Sequence, residues 1–320
     1  MPKAVKGHYA AQLQNDFVTY GGYYRYYNPY VQDTVEVYDP YAFGASVDVP
    51  QGALYIGGRC APAVSRMFLL RKDVPRVKTN MMWKIDASGQ ERHTLLPCDL
   101  WRQAATYLNG NIYVAGGLQD SISGNGELLS ITWPDSKAWK KVSKIPQSPL
   151  VSPLLITCGD NLLLLGGCTQ ATDTLAYDTW QKRAWKYKIS KDEWQEISVE
   201  EVPDSLFPAA GGMSVSAGRF TTAFFGGQER DGHYRQHIVL YNRLLNSWSA
   251  IPGDSLLARV DAVITKSGDG WIVSGGQVAQ GVNTTDVTYV SFADDFLLYY
   301  SILFVLALIA ICTFLVFRKK

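Results

Sequence analysis

Histidine is scarce in this chain, and cysteine is present without pattern. Four histidines occur in 320 residues, and His8, His93 and His237 stand at no metal-ligand spacing. The five cysteines, Cys60, Cys98, Cys158, Cys168 and Cys312, form no CxxC or related motif. No metal site is expected. Cys158 and Cys168 flank one apolar strand, but buried free thiols are the simpler reading, because cysteine often serves as a small apolar residue. The chain also lacks a Gly-rich phosphate loop, a GxSxG elbow, an HExxH helix and the paired carboxylates of a glycosidase. The chemistries carried by those motifs are therefore not expected, and no cofactor follows from any motif. Asp-box segments of the S-x-D-x-G-x-T-W kind are missing, which argues against a sialidase. A formal net charge of +1, with no basic cluster interleaved with aromatics, argues against nucleic acid as a partner. The opening stretch MPKAVKGHYAAQLQNDF has no apolar h-region, so no secretory signal peptide is expected there.

What the chain does have is glycine in pairs. Six apolar runs, FVTYGG, ALYIGG, IYVAGG, LLLLGG, AFFGG and WIVSGG, close at Gly21-Gly22, Gly57-Gly58, Gly116-Gly117, Gly166-Gly167, Gly226-Gly227 and Gly275-Gly276. A repeat of about 50 residues is the mark of a kelch-type β-propeller. Each run has the length and residue type of a buried strand. Glycine ends it because glycine reaches positive φ freely and lets a neighbouring backbone come close. Before the runs lie short strands rich in small residues, such as AFGASVDV, RQAATYL, SPLLITC, GGMSVSA and RVDAVIT, which suit a crowded centre. After them come alternating strands: TVEVYD, MMWKID, ELLSITW, AWKYKIS, HIVLYN and DVTYVSF. Trp139, Trp194 and Trp248 mark further strands and fit packing between blades. These units predict an all-β fold: a six-bladed kelch-type β-propeller over residues 1–293, followed by one C-terminal transmembrane helix with a basic tail over residues 294–320. The first and sixth units lack a Trp strand, so their outer strands are expected to be missing or makeshift.

From Phe296 to Phe317 the chain reads FLLYYSILFVLALIAICTFLVF, without charge and long enough to span a bilayer as a helix. Tyr299 and Tyr300 suit one interface, and Arg318, Lys319 and Lys320 follow the run. A single-pass membrane protein is expected. The positive-inside tendency puts the basic tail in the cytoplasm and the propeller outside, whereas the missing signal peptide points the other way; the first is preferred. Asn283-Thr284-Thr285 is a glycosylation sequon, with meaning only in a eukaryotic secretory setting.

The stretch HIVLYNRLLNSWSAIPGDSLLARVDAVITKSGDGWIVSGGQVAQGVNTTDVTYVSF resembles the last blades of the N-acetylneuraminate (sialic acid) mutarotase/epimerase family. The similarity is to its circularly permuted branch, often fused to the first membrane helix of a sodium:solute symporter. YAFGASVDVPQGALYIGG and LNGNIYVAGGLQD resemble earlier blades of that branch. The resemblance implies conversion between the anomers of sialic acid, with a membrane partner of the symporter kind. Opening and reclosing the hemiketal needs a base at the anomeric hydroxyl and an acid at the ring oxygen. The family carries a Glu and an Arg for this in a GE-x-x-x-G-x-R-T segment. Here that segment is Gly276 to Thr284, with Gly281 and Thr284 kept, but Gln277 stands at the Glu position and Asn283 at the Arg position. An amide exchanges no proton at neutral pH, and Asn forms no charged fork with a carboxylate. Both still hydrogen-bond hydroxyls. Two readings stay open: drift in a chain that no longer catalyses, or a module that keeps the pocket and binds sialic acid or a related sugar acid, its acid/base pair lost.

Further residues could line such a site. Arg102 in LWRQAATYL and Arg259 in LLARVDAVIT precede small-residue strands, at the end where kelch loops bind ligands; each could hold a carboxylate or pair with a loop carboxylate. Glu229, Asp231 and His233 follow the fifth Gly-Gly and could move a proton, although a solvated turn is the plainer reading, as it is for Asp120. The cluster Tyr20, Tyr23, Tyr24, Tyr26, Tyr27 and Tyr30 could stack on sugars or pack over a blade edge. Two other functions are compatible with the pattern: a kelch protein-interaction scaffold at a membrane, and the front-end domain of a symporter.

Overall fold

The computed structural model describes residues 6–13, 16–20, 22–28, 33–39, 42–50, 52–60, 77–78, 80–86, 88–119, 123–170, 177–280 and 282–292. The apolar run 296–317 and its basic tail lie outside them. Among the described residues no helix is long and apolar enough to cross a membrane.

The described residues form an all-β propeller with five blades, where six were expected from the Gly-Gly count. Four blades have four antiparallel strands. They run, from axis to rim, through Ala45–Val49, Gly52–Ile56, Met81–Asp86 and Gly89–Leu95; through Trp101–Leu108, Asn111–Leu118, Glu127–Thr132 and Lys140–Lys144; through Leu154–Cys158, Asn161–Leu165, Ala184–Lys188 and Glu193–Ile197; and through Met213–Ser216, Thr221–Phe225, Ile238–Asn242 and Ser247–Ile251. The fifth has three: Val263–Ser267, Gly270–Ser274 and Val287–Val290. Among the described residues this blade has no rim strand, in line with the absence of a Trp strand from the sixth unit. The first Gly-Gly unit gives only a two-stranded sheet, Tyr9–Leu13 with Asp16–Tyr20. The physical reason is the absence of a continuing ladder: Gly22–Asn28 pairs with Asp33–Asp39 as a separate hairpin. Tyr9–Leu13 nonetheless packs between Val263–Ser267 on one side and the strands Ala45–Val49 and Gly52–Ile56 on the other.

Why the second strands are apolar on every residue follows from the packing. Successive side chains of a strand point to opposite faces. In LLLL, Leu162 and Leu164 join Tyr113, Ala115 and Leu128 of the preceding blade, while Leu163 and Leu165 join Phe224, Val239 and Tyr241 of the next. Ile112 and Val114 likewise pack back onto Leu54, Ile56 and Met82. Ala223 and Phe225 pack forward with Leu257, Val273 and Val290. The core is therefore a set of layers between blades. Each second strand is buried on both faces, so it shows no polar alternation.

Trp139, Trp194 and Trp248, expected between blades, are partly buried and packed against three of the layers that lie between blades. Trp248 stacks with Tyr241 at 4.4 Å and reaches Phe207 at 5.6 Å and Phe224 at 5.9 Å between ring centres. Trp194 packs on Tyr187 at 4.9 Å. Cys98, Cys158 and Cys168 are free thiols, and Cys168 is buried, where burial pushes its thiol up to about 12.

Candidate functional site

The Gly-Gly pairs at 57–58, 116–117, 166–167, 226–227 and 275–276 all take positive φ. Their reason is a stitch between blades. The N–H of Gly58 donates to the Leu100 carbonyl, that of Gly117 to Leu150 and that of Gly227 to Arg259, at 2.7, 2.7 and 2.8 Å. Each acceptor lies on the segment entering the next blade. A Cβ on Gly57, Gly116 or Gly226 would collide with the same three carbonyls.

Directly after those entering segments the chain reaches the axis through a second set of positive-φ residues. These are Gly7, Phe43, Arg102, Ser152, Gly211 and Asp261, with φ of 59, 61, 56, 47, 68 and 53°. Five backbone hydrogen bonds link them in an arc from Ser152 round to Gly211, and the six positions together make a ring about the axis. Phe43 N–H donates to Gly7 O, Arg102 N–H to Phe43 O, Ser152 N–H to Arg102 O and Gly7 N–H to Asp261 O, each at 2.7 Å; Asp261 N–H donates to Gly211 O at 3.2 Å. Positive φ in a residue with a bulky side chain costs about 1–3 kcal/mol, so the Phe43 conformation persists only because the ring over-determines it.

The ring carries a buried polar cluster. Arg102 grips Asp261 with two nitrogens, Nη1 to Oδ1 at 3.0 Å and Nη2 to Oδ2 at 3.3 Å. Arg102 Nη1 also donates to Ser152 Oγ at 3.3 Å, and the guanidinium lies 4.2 Å over the Phe43 ring. Lys6 Nζ stands 3.7 Å from Asp261 Oδ2 and donates to Gln277 Oε1 at 2.9 Å. Gln277 Nε2 in turn donates to the Tyr234 hydroxyl at 2.9 Å. The Arg102, Lys6 and Asp261 side chains are 1%, 3% and 7% exposed, so solvent screens them little. Burial pushes the Asp261 carboxyl up, but the charges of Arg102 and Lys6 outweigh that and hold it below its ordinary value. His8 donates to or accepts from Ser274 Oγ at 2.8 Å. Burial, helped by the Arg259 charge, lowers its pKa to about 3, so the imidazole is neutral at neutral pH. A cavity of about 150 Å³ opens against this cluster, bordered by His8, Phe43, Arg102, Ser152, Gly211 and Asp261. The inner strands line a second axial cavity of about 300 Å³, with Asp48, Thr106, Thr157, Ser214 and Arg243 among its walls.

The residues singled out in the sequence fall into three places. Gln277 belongs to the ring cluster, and Asn283 faces it: Gln277–Ala279 and Val282–Asn283 form a small hairpin in which Gln277 pairs with Asn283. The two positions at which the resemblance places an acid/base pair are therefore cross-strand neighbours. Arg102 is also in the cluster. Arg259 is not. It is fully buried, and its donors go to the carbonyls of Leu256, Gly275 and Asp286 and to Thr288 Oγ1, at 2.6 to 3.1 Å. Arg259 is a strut inside the fifth blade, and the ring residue of that blade is Asp261. The pairings Trp101 with Leu118 and Val260 with Gln277 equate Arg102 with Asp261, so the Arg-to-Arg correspondence was out of register by two residues.

Glu229 lies apart, in a cavity of about 190 Å³ between the third and fourth blades, with Trp180, Arg230, Asp231 and Arg235. It accepts from Arg235 Nε at 2.8 Å. Asp231 and His233 form an exposed pair at 3.0 Å on the same turn, in which each favours the other's charged form. Asp120 and Tyr30 lie outside the described residues. Tyr20 ends one strand of the first unit, and Tyr23, Tyr24, Tyr26 and Tyr27 lie on Gly22–Asn28. No group of three metal-binding side chains occurs among the described residues. Lys6, Phe43, Ser152, Tyr234 and Asp261 escaped the sequence reading. The signal that finds four of them is positional: one residue per unit, directly before the small-residue strand or, for Lys6, beside that position.

No protein-family model matches the chain, and no curated protein matches it by sequence. Among solved structures it resembles that of YjhT, with a TM-score of 0.66 at 14% identity, over 91% of this chain and 96% of that one. At that identity the likeness establishes the fold, an all-β propeller.

Proposed function

We propose that this chain is a propeller of the sialic acid mutarotase kind that binds sialic acid or a related sugar acid at the ring end of its axis, without interconverting the anomers. The observation that carries this reading is the meeting of Gln277 with Lys6, 2.9 Å apart, beside the Arg102–Asp261 pair and the axial cavity. It puts the segment of the family resemblance next to cationic groups suited to a carboxylate. The chemistry argues against turnover. A proton-transfer group works best with a pKa near the working pH. Gln277 does not titrate, Asp261 is held low, and burial raises the Tyr234 phenol.

The same reading takes the two-stranded unit Tyr9–Leu13 and Asp16–Tyr20 as the remnant of a sixth blade, because Gly7 supplies the sixth ring residue. It also includes one membrane span over residues 296–317, an extracytoplasmic propeller and a symporter as partner. Extraction of the full chain from membranes by carbonate tests the span, since an integral protein stays in the pellet. A second reading, a protein-interaction scaffold, is favoured by one feature: the open rim of the fifth blade, where Val287 and Tyr289 are about half exposed.

The deciding experiment is anomer exchange of N-acetylneuraminate followed by NMR, on the wild type and on a Gln277→Glu, Asn283→Arg double variant. Binding without exchange in the wild type, with exchange gained in the variant, is the expected result. Absence of binding in both would sink the sugar-acid reading.

A further inference from the structure

The carboxylate-binding fork of the ring is already filled, and the carboxylate in it belongs to the protein. Arg102 holds Asp261 through two roughly parallel bonds of 3.0 and 3.3 Å, the geometry a guanidinium adopts with any free carboxylate. Lys6 adds a second cation at 3.7 Å, and Ser152 Oγ and the Phe43 face bound the far side.

Two features make stability a poor account of this pair. Buried ion pairs stabilise little over apolar side chains of the same shape, because desolvation offsets the attraction. Moreover, the pair, though buried, borders the cavity of about 150 Å³. The ring explains the space. The neighbours of Asp261 around it are Gly211 on one side and Gly7 on the other, and Gly212 follows, so the ring positions flanking Asp261 carry no side chain. Phe43, Arg102 and Ser152 furnish the opposite arc.

We propose that Asp261 is an internal stand-in for a ligand carboxylate: it occupies the Arg102–Lys6 fork until an anionic, carboxylate-bearing ligand displaces it. The inference rests on the reading that the ring end takes a sugar acid, and adds the group that the ligand must compete with. The apparent affinity is then lowered by the fraction of molecules in which Asp261 has left the fork.

The test is binding of two probes, N-acetylneuraminate and pyruvate, by calorimetry to the wild type, to Asp261→Asn, to Lys6→Gln and to a Lys6→Gln, Asp261→Asn double variant. The double variant keeps the wild-type net charge of the cluster, in case two cations without a carboxylate prevent folding; thermal melts report folding in each. Asp261→Asn is expected to bind at least one probe about tenfold more tightly than the wild type, and the double variant about tenfold more tightly than Lys6→Gln alone, with Arg102→Gln removing the gain. Equal or weaker binding in these comparisons overturns the stand-in role, and leaves the sugar-acid reading intact if the wild type binds N-acetylneuraminate. A gain confined to pyruvate, with no form binding N-acetylneuraminate, supports the stand-in and overturns the sugar-acid reading. Binding of neither probe overturns both. Independently of any variant, the Asp261 carboxyl carbon in the wild type should shift in the NMR spectrum on saturation with N-acetylneuraminate; an unmoved signal at saturation overturns the displacement.

Discussion

Gln277 sits between an ammonium and a phenol, and both of its polar ends are used. Replacing it by Ala removes a buried acceptor from Lys6 and a donor from Tyr234, which should cost about 1–3 kcal/mol in urea denaturation. His8 gives a prediction in pH. Its folded pKa of about 3 lies below the ordinary imidazole value of 6.5, so between those values the unfolded chain binds more protons than the folded one. Its contribution to stability is complete above 6.5 and is lost as pH falls toward 3. The buried carboxylate Asp261 adds a loss of its own only below about 4, near the unfolded carboxyl pKa. A His8→Gln variant should therefore lose less stability than the wild type between pH 6.5 and 4, measured by urea titration at each pH. Of the residues that make this cluster, Arg102 and Gln277 were legible in the sequence, the first from its place before a small-residue strand and the second from the family segment. Asp261 was not, because Arg259 offered the same chemistry two residues away, and only strand pairing fixes which of the two faces the axis.

Among the elements, the glycine turns separate two costs that sequence alone merges. Gly110 has φ 77° with nothing near a would-be Cβ, whereas Gly116 has φ 69° and would meet the Leu150 carbonyl at 2.5 Å. Gly110→Ala should cost about 1 kcal/mol, the backbone strain only, and Gly116→Ala about 2–3 kcal/mol or more, because the blade-to-blade stitch must move as well. Thermal melts of the pair would rank them. The rim tryptophans carry the other element-scale prediction. Trp248→Ala empties a partly buried aromatic stack with Tyr241, Phe224 and Phe207, and should cost about 2–4 kcal/mol by denaturant titration. These strands were readable from their repeats, since an apolar run buried on both faces and a rim tryptophan each reflect packing that recurs in successive blades. The first unit was over-read for the same reason: its Gly-Gly run has the right residues, but continuation of the sheet depends on a ladder that its hairpin, Gly22–Asn28 with Asp33–Asp39, does not supply.

For the whole molecule, closure depends on a short segment near one end of the chain. Gly7 bonds Asp261, Lys6 reaches Asp261 and Gln277, and Tyr9–Leu13 lies between the first and fifth blades. Deleting residues 1–13 should speed hydrogen exchange in Ala45–Val49 and Val263–Ser267, on either side of the seam, while leaving Leu154–Cys158 protected. Uniform exchange across all three strands would contradict this account of closure. Long-range ties of this kind were invisible in the sequence, because nothing local in Lys6-Gly7-His8 announces a partner more than two hundred residues away.

The ring of positive-φ residues has one further consequence. Five of its six steps are bonds from peptide to peptide, so backbone sets most of the frame of the axial aperture, while Gly7 must stay small because a Cβ there would meet the Phe43 ring. A glycine, a phenylalanine, an arginine, a serine and an aspartate all serve as mounts. Such a frame can carry unlike side chains, in keeping with a chain that shares its fold with a solved structure at 14% identity while no family model matches its sequence.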